Sequence, residues 1–407
     1  MLRFAPSTTT DLHLGDLRIA LLTSLAAKNR GEELLIRLEN SENEKEILDI
    51  LSLFDIPYSQ IIHQSQNFRF HAAMALDLLH KKKAFTCFCS DEWLAKKKEE
   101  AQTAQEMYQY DDACRNLPAE LVIDNTAPFT IRIVRPTQDI ILHDLIEGDV
   151  HFKAETIDSF IIMNQDKTPT PVFATAVDDM LNDISLVIQT QKEKNLAPKQ
   201  EYIRKQLGYD KNIDFVHIST LDCDETISVK TLLQEGFLPE AIKHYLLSIG
   251  NVKEWLPLDN ISSETFDEKF NKETLRQINQ DYLRKMDPKE LSRYVGFADA
   301  DIGSLAQLYL NDVATTKELK SKIEPIFAKR DIPETLTDIV TTLASIIKKA
   351  PYFENFQDFQ DYLIKNTTLS KDEISRGLYI ILVNEQTGPE IDKIYTYLKN
   401  YLGELVK

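Results

Sequence analysis

Apolar and polar positions alternate between two periods along this chain. Leu2 to Ala5 reads as a short β-strand that stops at Pro6. A hydroxyl-rich loop, Ser7 to Thr10, follows, and a helix opens around His13-Leu14-Gly15 and runs apolar through Ile19 to Leu25. Leu34 to Leu38 predicts a short buried strand, and Glu44 to Phe54 an amphipathic helix with Ile47, Leu48, Leu51 and Leu53 on its apolar side. Phe70 to His80 is an Ala-rich helix. Leu121 to Val134 holds strand-like runs broken by Asp124-Asn125 and Pro128, and Ser159 to Met163 and Val172 to Val177 also read as strands. This alternation lasts to about residue 220 and predicts an α/β region carrying an insertion. Beyond about residue 230 the pattern is helical, with no glycine between Val252 and Leu291 and breaks at Pro325, Pro333, Pro351 and Gly388-Pro389.

Composition narrows the class. A chain of 407 residues implies two to four domains and is long enough for a full α/β core. No run of eighteen apolar residues exists, so no transmembrane helix and no membrane association are expected. The N-terminus has no basic segment leading an apolar core, so no secretory signal is expected. Four cysteines do not make a disulfide framework, and a reducing cytoplasm is the expected compartment. A net charge of −18 argues against non-specific polyanion binding, which rests on cation–phosphate contacts. Lys81-Lys82-Lys83 and Lys96-Lys97-Lys98 are local exceptions, each read as a solvated helix face in preference to an RNA contact.

The N-terminal strand, polar loop and helix form a phosphate-binding layout. Helix N-terminal N–H groups and the dipole favour an anion, Gly15 lets a ligand approach the backbone, and the His13 imidazole can bond a phosphate oxygen. A βα turn with a capping histidine is the plain alternative. Cys87 and Cys89 form a C-x-C pair and Cys114 lies 25 residues beyond, a plausible start for a tetrahedral zinc site. Three reduced structural cysteines without metal is the plain alternative there, and Cys223 falls outside the group.

The string Arg3-Phe4-Ala5-Pro6-Ser7-Thr8-Thr9-Thr10-Asp11-Leu12-His13-Leu14-Gly15 resembles the first signature of class I aminoacyl-tRNA synthetases, in the form glutamyl-tRNA synthetases use. Further stretches match that family in order. Ala84 to Cys89 and Tyr110 to Leu117 resemble its zinc-bearing insertion. Asp158 to Met163, Thr168-Pro169-Thr170 and Phe173 to Asp179 resemble the second half of its nucleotide fold. Glu235 to Ile242 resembles the segment after its second signature, and Thr387-Gly388-Pro389-Glu390 sits where its C-terminal helical domain has a Thr-Gly-x-x-x-Gly-Pro run. The resemblance covers nearly the whole chain. It implies an α/β Rossmann-like catalytic domain at about 1–72 and 156–228, with an acceptor-binding insertion bearing the cysteines at 73–155. A helical stem-contact region at 229–300 and a helical anticodon-binding-type domain at 301–407 would follow.

By the same resemblance, Arg3, Ala5 and Ser7 would line a glutamate pocket and Glu39 would hold the substrate ammonium. His13 and Gly15 would contact ATP. The fourth metal ligand would be Tyr110, with water or Asp111 as alternatives to so unusual a donor. The implied partners are tRNA of glutamate or glutamine type, with ATP (and magnesium) and glutamate as substrates of an active enzyme, and a monomer is expected.

Several parts depart from the family. Its Arg-Ile-Glu-Asp-Thr-Asp run is Arg37-Leu38-Glu39-Asn40-Ser41-Glu42 here, and its loop glycine is Thr10. Its substrate-facing Tyr and the residue after it are Pro171-Val172, and the arginine expected to read glutamate is Gln189. The span where its Lys-Met-Ser-Lys-Arg signature belongs is Ile218 to Ser228, which holds Asp222, Asp224 and Glu225 but no Lys or Arg. An acidic loop beside a triphosphate repels it. The expectation is a family member with weak or absent aminoacylation. The alternative to an enzyme is a paralogue that binds tRNA, a synthetase or a small ligand.

Overall fold

The computed structural model describes residues 1–39, 43–105, 108–224, 226–249 and 268–406. They fall into two units, residues 1–229 with 246–270, and residues 230–245 with 271–407.

The first unit begins with β1 (Leu2–Phe4), α1 (Leu14–Arg30), β2 (Leu34–Leu38), α2 (Glu44–Leu53) and β3 (Gln60–His63). Next come α3 (Phe68–His80), β4 (Ala84–Cys87), α4 (Asp91–Thr103), α5 (Ala119–Ile123), β5 (Thr130–Ile133), β6 (Ile140–Asp144), β7 (Gly148–Phe152) and β8 (Ile161–Met163). Then follow α6 (Pro171–Leu181), β9 (Leu186–Thr190), α7 (Ala197–Leu207), β10 (Asp214–Ile218) and β11 (Leu221–Asp222), with β12 (Glu268–Lys269) pairing to β11. The main sheet has seven strands in the order β3-β2-β1-β9-β10-β6-β7. All its pairs are parallel except the β6–β7 hairpin. Parallel strands covered on both faces read as continuous apolar runs, which is why Leu34–Leu38 is buried at every position. Leu78, Ile133, Leu142, Ile162, Phe173, Val187 and Phe215 join in one core cluster.

Three expectations are corrected. Val172 to Val177 is not a strand; it lies inside α6, and the strands on either side of β1 are β2 and β9. The helix starts because Pro171 occupies its first turn, where a missing N–H costs nothing, and Phe173, Ala176 and Val177 then fall on one buried face. Inside the stretch expected as an insertion, β6 and β7 belong to the main sheet, while β4 and β5 pair with β8 in a separate three-stranded antiparallel sheet. Leu121 to Val134 is likewise part helix (α5) and part strand (β5).

The second unit is helical. After α8 (Val229–Gln234) and α9 (Pro239–Ser248), which straddle the division, come α10 (Lys272–Lys285), α11 (Pro288–Tyr294), α12 (Ala300–Gln307), α13 (Thr316–Ile323), α14 (Thr337–Ile347), α15 (Phe356–Asn366), α16 (Lys371–Val383), α17 (Ile391–Leu398) and α18 (Leu402–Leu405). Residues 271–300 and 301–407 belong to the same unit. Asn279, fully buried on α10, ties two loops together: it accepts from the Leu238 N–H at 2.7 Å and donates to the Ala314 carbonyl at 2.6 Å. Gly303 lets α12 close on α11, since a Cβ there would stand 1.7 Å from the Pro288 carbonyl oxygen.

Candidate active site and cysteine cluster

The head of α1 carries the first group of expected residues. His13 is its N-cap, and Nδ1 accepts the Gly15 N–H at 3.2 Å. A neutral imidazole that accepts at Nδ1 carries its proton on Nε2. That nitrogen lies 2.9 Å from the Cys223 sulfur, so the ring donates N–H to sulfur. Burial first, then Asp222 and Asp224, push the Cys223 thiol up to about 11, so it stays protonated at neutral pH. The same segment is pinned at both ends. Arg18 of α1 donates to the Ser219 carbonyl at 3.0 Å, and the Val229 N–H donates to the Leu12 carbonyl at 3.0 Å beside a bridge between His13 and Ser228. Asp224 accepts the Thr226 N–H and hydroxyl at 2.9 and 2.8 Å, a tight turn that lowers its own pKa. Glu225, and Asn40, Ser41 and Glu42 of the acidic run, lie outside the described residues.

A pocket of about 180 Å³ opens beside the C-terminal ends of β1, β2 and β9, and its lining includes Arg3, Ala5 and Glu39. The exposed Ser7 is not part of that lining; its hydroxyl pairs with that of Thr9 at 3.1 Å. Arg3 donates to Asp179 at 2.9 and 3.4 Å, and Arg37 donates to Asp179 at 3.0 Å and to the Thr175 hydroxyl at 3.0 Å. Burial acts to raise the Asp179 carboxyl, but the Arg3 and Arg37 guanidiniums outweigh it and hold the pKa below its ordinary range. Pro171, Val172 and Gln189 also line the pocket. Gln189 is committed on one side: its amide nitrogen lies 2.9 Å from His217 Nε2, and His217 Nδ1 lies 2.6 Å from buried Asp144.

Asp179, Arg37, His217, Asp144 and Gln200 were not among the sequence-derived site residues. Two signals were available. Arg37 is the one charge in the apolar run Leu34–Leu38, and Asp178-Asp179 interrupts the apolar face of α6. A charge placed where burial is dictated implies a partner. Asp178 pairs with Gln64, Asn67 and His71 at 2.9–3.1 Å.

The cysteine cluster forms in the β4 region. The three sulfurs of Cys87, Cys89 and Cys114 lie within 4.8 Å of one another, with Cys89 and Cys114 at 3.6 Å. The Tyr110 hydroxyl stands 3.3 Å from Cys87 and 3.5 Å from Cys89, and accepts the Cys114 N–H at 3.1 Å. Tyr110 is fully buried with the Arg132 guanidinium 3.8 Å from its ring centroid. Burial raises the Cys87 thiol, but bonds from Tyr110, the backbone at Cys89 and Arg132 bring it down to about 7; Cys89, with burial dominant, is pushed up to about 12. The donor set therefore fits a tetrahedral soft metal: three sulfurs and one phenol oxygen converge. Cys223 is elsewhere, on His13.

Lys96-Lys97-Lys98 lies on α4, whereas Lys81-Lys82-Lys83 is not a helix face but the turn that follows α3, with Lys83 half-buried. Lys81 pairs with Asp77 at 2.8 Å, Lys83 donates to the Gln206 carbonyl at 2.6 Å and Lys97 pairs with Glu100 at 2.9 Å. Among the described residues no helix is long and apolar enough to cross a membrane.

Comparison with known proteins gives a consistent result. The family model for the catalytic domain of class I tRNA synthetases (E and Q) matches residues 1–277. A protein named glutamate–tRNA ligase 2 from Sulfurimonas denitrificans is 48% identical, and one named glutamate–tRNA ligase 1 from Nitratiruptor sp. is 38% identical, each over the full length of both chains. The first alignment runs over 434 positions, more than this chain's 407 residues. The crystal structure of a glutamate tRNA ligase from Elizabethkingia meningosepticum with its amino acid superposes with a TM-score of 0.77 at 20% identity, covering 100% of this chain and 98% of that one.

Proposed function

The chain belongs to the glutamate–tRNA ligase family of class I synthetases, and from that premise we propose that it keeps the family scaffold while attaching glutamate to tRNA weakly or not at all. Tests of that scaffold and tests of the charging reaction therefore separate. The observation that carries this is at the head of α1: the Cys223 thiol sits on His13 Nε2, where the family presents an ATP contact, and residues 218–228 bring no cation. The family reaction condenses glutamate with ATP to an adenylate before transfer to the terminal ribose. It needs positive charge and N–H donors around the triphosphate as charge moves onto pyrophosphate. The α1 N-terminus still offers N–H groups, and His13 already spends its Nε2 proton on sulfur. Glutamate-dependent exchange of pyrophosphate into ATP tests the reading, with background exchange expected.

Cys87, Cys89, Cys114 and Tyr110 would hold a zinc ion, which supplies a structural cross-link between β4 and the Tyr110–Cys114 segment. Metal analysis of the purified chain is expected to find about one zinc per chain, falling to background in Cys114→Ser. Wild-type protein free of zinc after metal-replete expression refutes the site and leaves three packed thiols.

Transfer RNA is the expected partner of the family, and the helical second unit supports its retention here. With a net charge of −18, binding is expected to be weak, confined to one face and steeply salt-dependent. Gel-shift titration with glutamate and glutamine tRNAs at low and moderate salt is the measurement. Absence of a shift with either tRNA, beside a positive control, leaves only a ligand or protein partner.

A further inference from the structure

We propose that Cys89 and Cys114 form a reversible oxidation site, closing to a disulfide under a peroxide and so dismantling the ion site they share with Cys87 and Tyr110. The loss of the ion rests on the zinc reading above; the disulfide does not. The cysteines of the chain are free thiols. The Cys89 and Cys114 sulfurs lie 3.6 Å apart, about 1.5 Å beyond a covalent bond.

Exposure and backbone setting single out this pair. Cys87 is 1% exposed and sits in β4, where it pairs with Thr130. Cys89 and Cys114 are half-buried, so a small oxidant reaches them before it reaches Cys87. Cys89 lies past the end of β4, next to exposed Ser90, the N-cap of α4. Cys114 lies in a turn between exposed Ala113 and Arg115, outside any helix or strand. Neither belongs to a strand ladder, so their approach adjusts a turn and breaks no sheet hydrogen bond. The packing beneath them keeps the two segments together. Tyr110 is fully buried, stacked on Phe85 with 6.4 Å between ring centroids, and the Arg132 guanidinium lies 3.8 Å from its ring centroid. Its hydroxyl accepts the Cys114 N–H at 3.1 Å and stands 3.5 Å from the Cys89 sulfur. One phenol therefore touches both halves of the pair and holds them side by side.

The chemistry balances with hydrogen peroxide as oxidant. One thiolate of the pair attacks a peroxide oxygen, the O–O bond breaks, and hydroxide leaves and takes a proton to become water. The other thiolate attacks the resulting sulfenic acid at sulfur, the S–O bond breaks, and a second water forms. Two electrons pass from the two sulfurs to the peroxide. Cys87 and Tyr110 then remain as donors, two where a tetrahedral site takes four. A dithiol reverses the reaction by exchange through a mixed disulfide. Cys223 stands on His13, outside the cluster, and is not part of the site.

The full chain, loaded with zinc, is titrated with hydrogen peroxide and followed by a chromogenic zinc chelator, intact mass and non-reducing peptide mapping. The expected result is a loss of two hydrogen masses, a linked Cys89–Cys114 peptide, and release of about one zinc per chain in step with the link. Dithiothreitol with added zinc is expected to restore both mass and metal content, and Cys223→Ser to behave as the wild type. Oxygen addition without a link, a link through Cys87 or Cys223 or between chains, or thiols left intact by peroxide that oxidises free cysteine overturns the proposal. Zinc retained by the linked chain also overturns it. A chain that never holds zinc yet forms the Cys89–Cys114 link overturns the zinc reading and sustains the oxidation site.

Discussion

Glutamate-dependent pyrophosphate exchange by this chain is expected to stay at background, and restoring one missing group at a time is expected to recover little. Removing a single preorganised charge-stabilising donor costs about 10²–10³ in rate. Here the ATP side and the amino-acid side are both changed. On the ATP side, residues 218–228 contain no Lys or Arg, and the Cys223 sulfur accepts the Nε2–H hydrogen bond of His13. On the amino-acid side, Gln189 stands where the resemblance implies an arginine, and its amide nitrogen lies 2.9 Å from His217 Nε2; a neutral amide cannot make an arginine's bidentate pair. Pro171 lines the pocket where the resemblance implies a hydroxyl-bearing tyrosine. Groups acting as a unit do not add, so a lysine loop grafted without Gln189→Arg and Pro171→Tyr leaves the chain inactive for want of a bound substrate. Exchange within about tenfold of an ordinary synthetase, roughly 1.4 kcal/mol of barrier, would falsify the weak-charging reading.

Asp179→Ala is expected to be the most destabilising single substitution in the pocket, by about 3–5 kcal/mol. The carboxylate is about 1% exposed and binds two nearly buried guanidiniums, so its removal strands two positive charges together. Burial and the neighbouring Arg3 pull the Arg37 pKa down even with Asp179 in place, so the two cations oppose each other beside their shared anion. Urea unfolding followed by circular dichroism measures the loss. Adding Arg37→Met to the Asp179→Ala chain is expected to cost less than Arg37→Met in the wild type, because it relieves a stranded charge. A loss under about 1 kcal/mol for Asp179→Ala overturns the assignment of Asp179 as the anchor of both arginines. The pH dependence has a fixed sign. The folded pKa of Asp179 lies below the ordinary aspartate value of 3.8, so its contribution is complete above that value and is lost as pH falls through the lower folded pKa. Acid unfolding of the wild type should therefore steepen below about pH 3.8, and that component should be missing in Asp179→Ala.

The sequence by itself determined the features that depend on near neighbours. The strand–loop–helix at Leu2 to Leu25, with His13 as the cap, follows from a proline, a hydroxyl run and a change of period. The Cys87–Cys89–Cys114 cluster was legible in its spacing, whereas Tyr110 beside it was implied only by the family resemblance. The helical second half was legible because its apolar positions keep one period over long stretches. Tertiary structure alone decided the rest. Val172 to Val177 is β-branched and apolar enough for a strand, and its helical state was settled by the Pro171 start and the buried face it packs into the core. The strands β6 and β7 join the main sheet because β10 offers a parallel edge, a choice made between residues 71 apart in the Phe215–Asp144 pair. Arg3 with Asp179, Gln189 with His217, and Cys223 with His13 meet across 176, 28 and 210 residues of chain. No local pattern encodes which buried charge or thiol will face which. Desolvation makes each such group require a partner, and only the packed sheet and its loops determine which partner arrives.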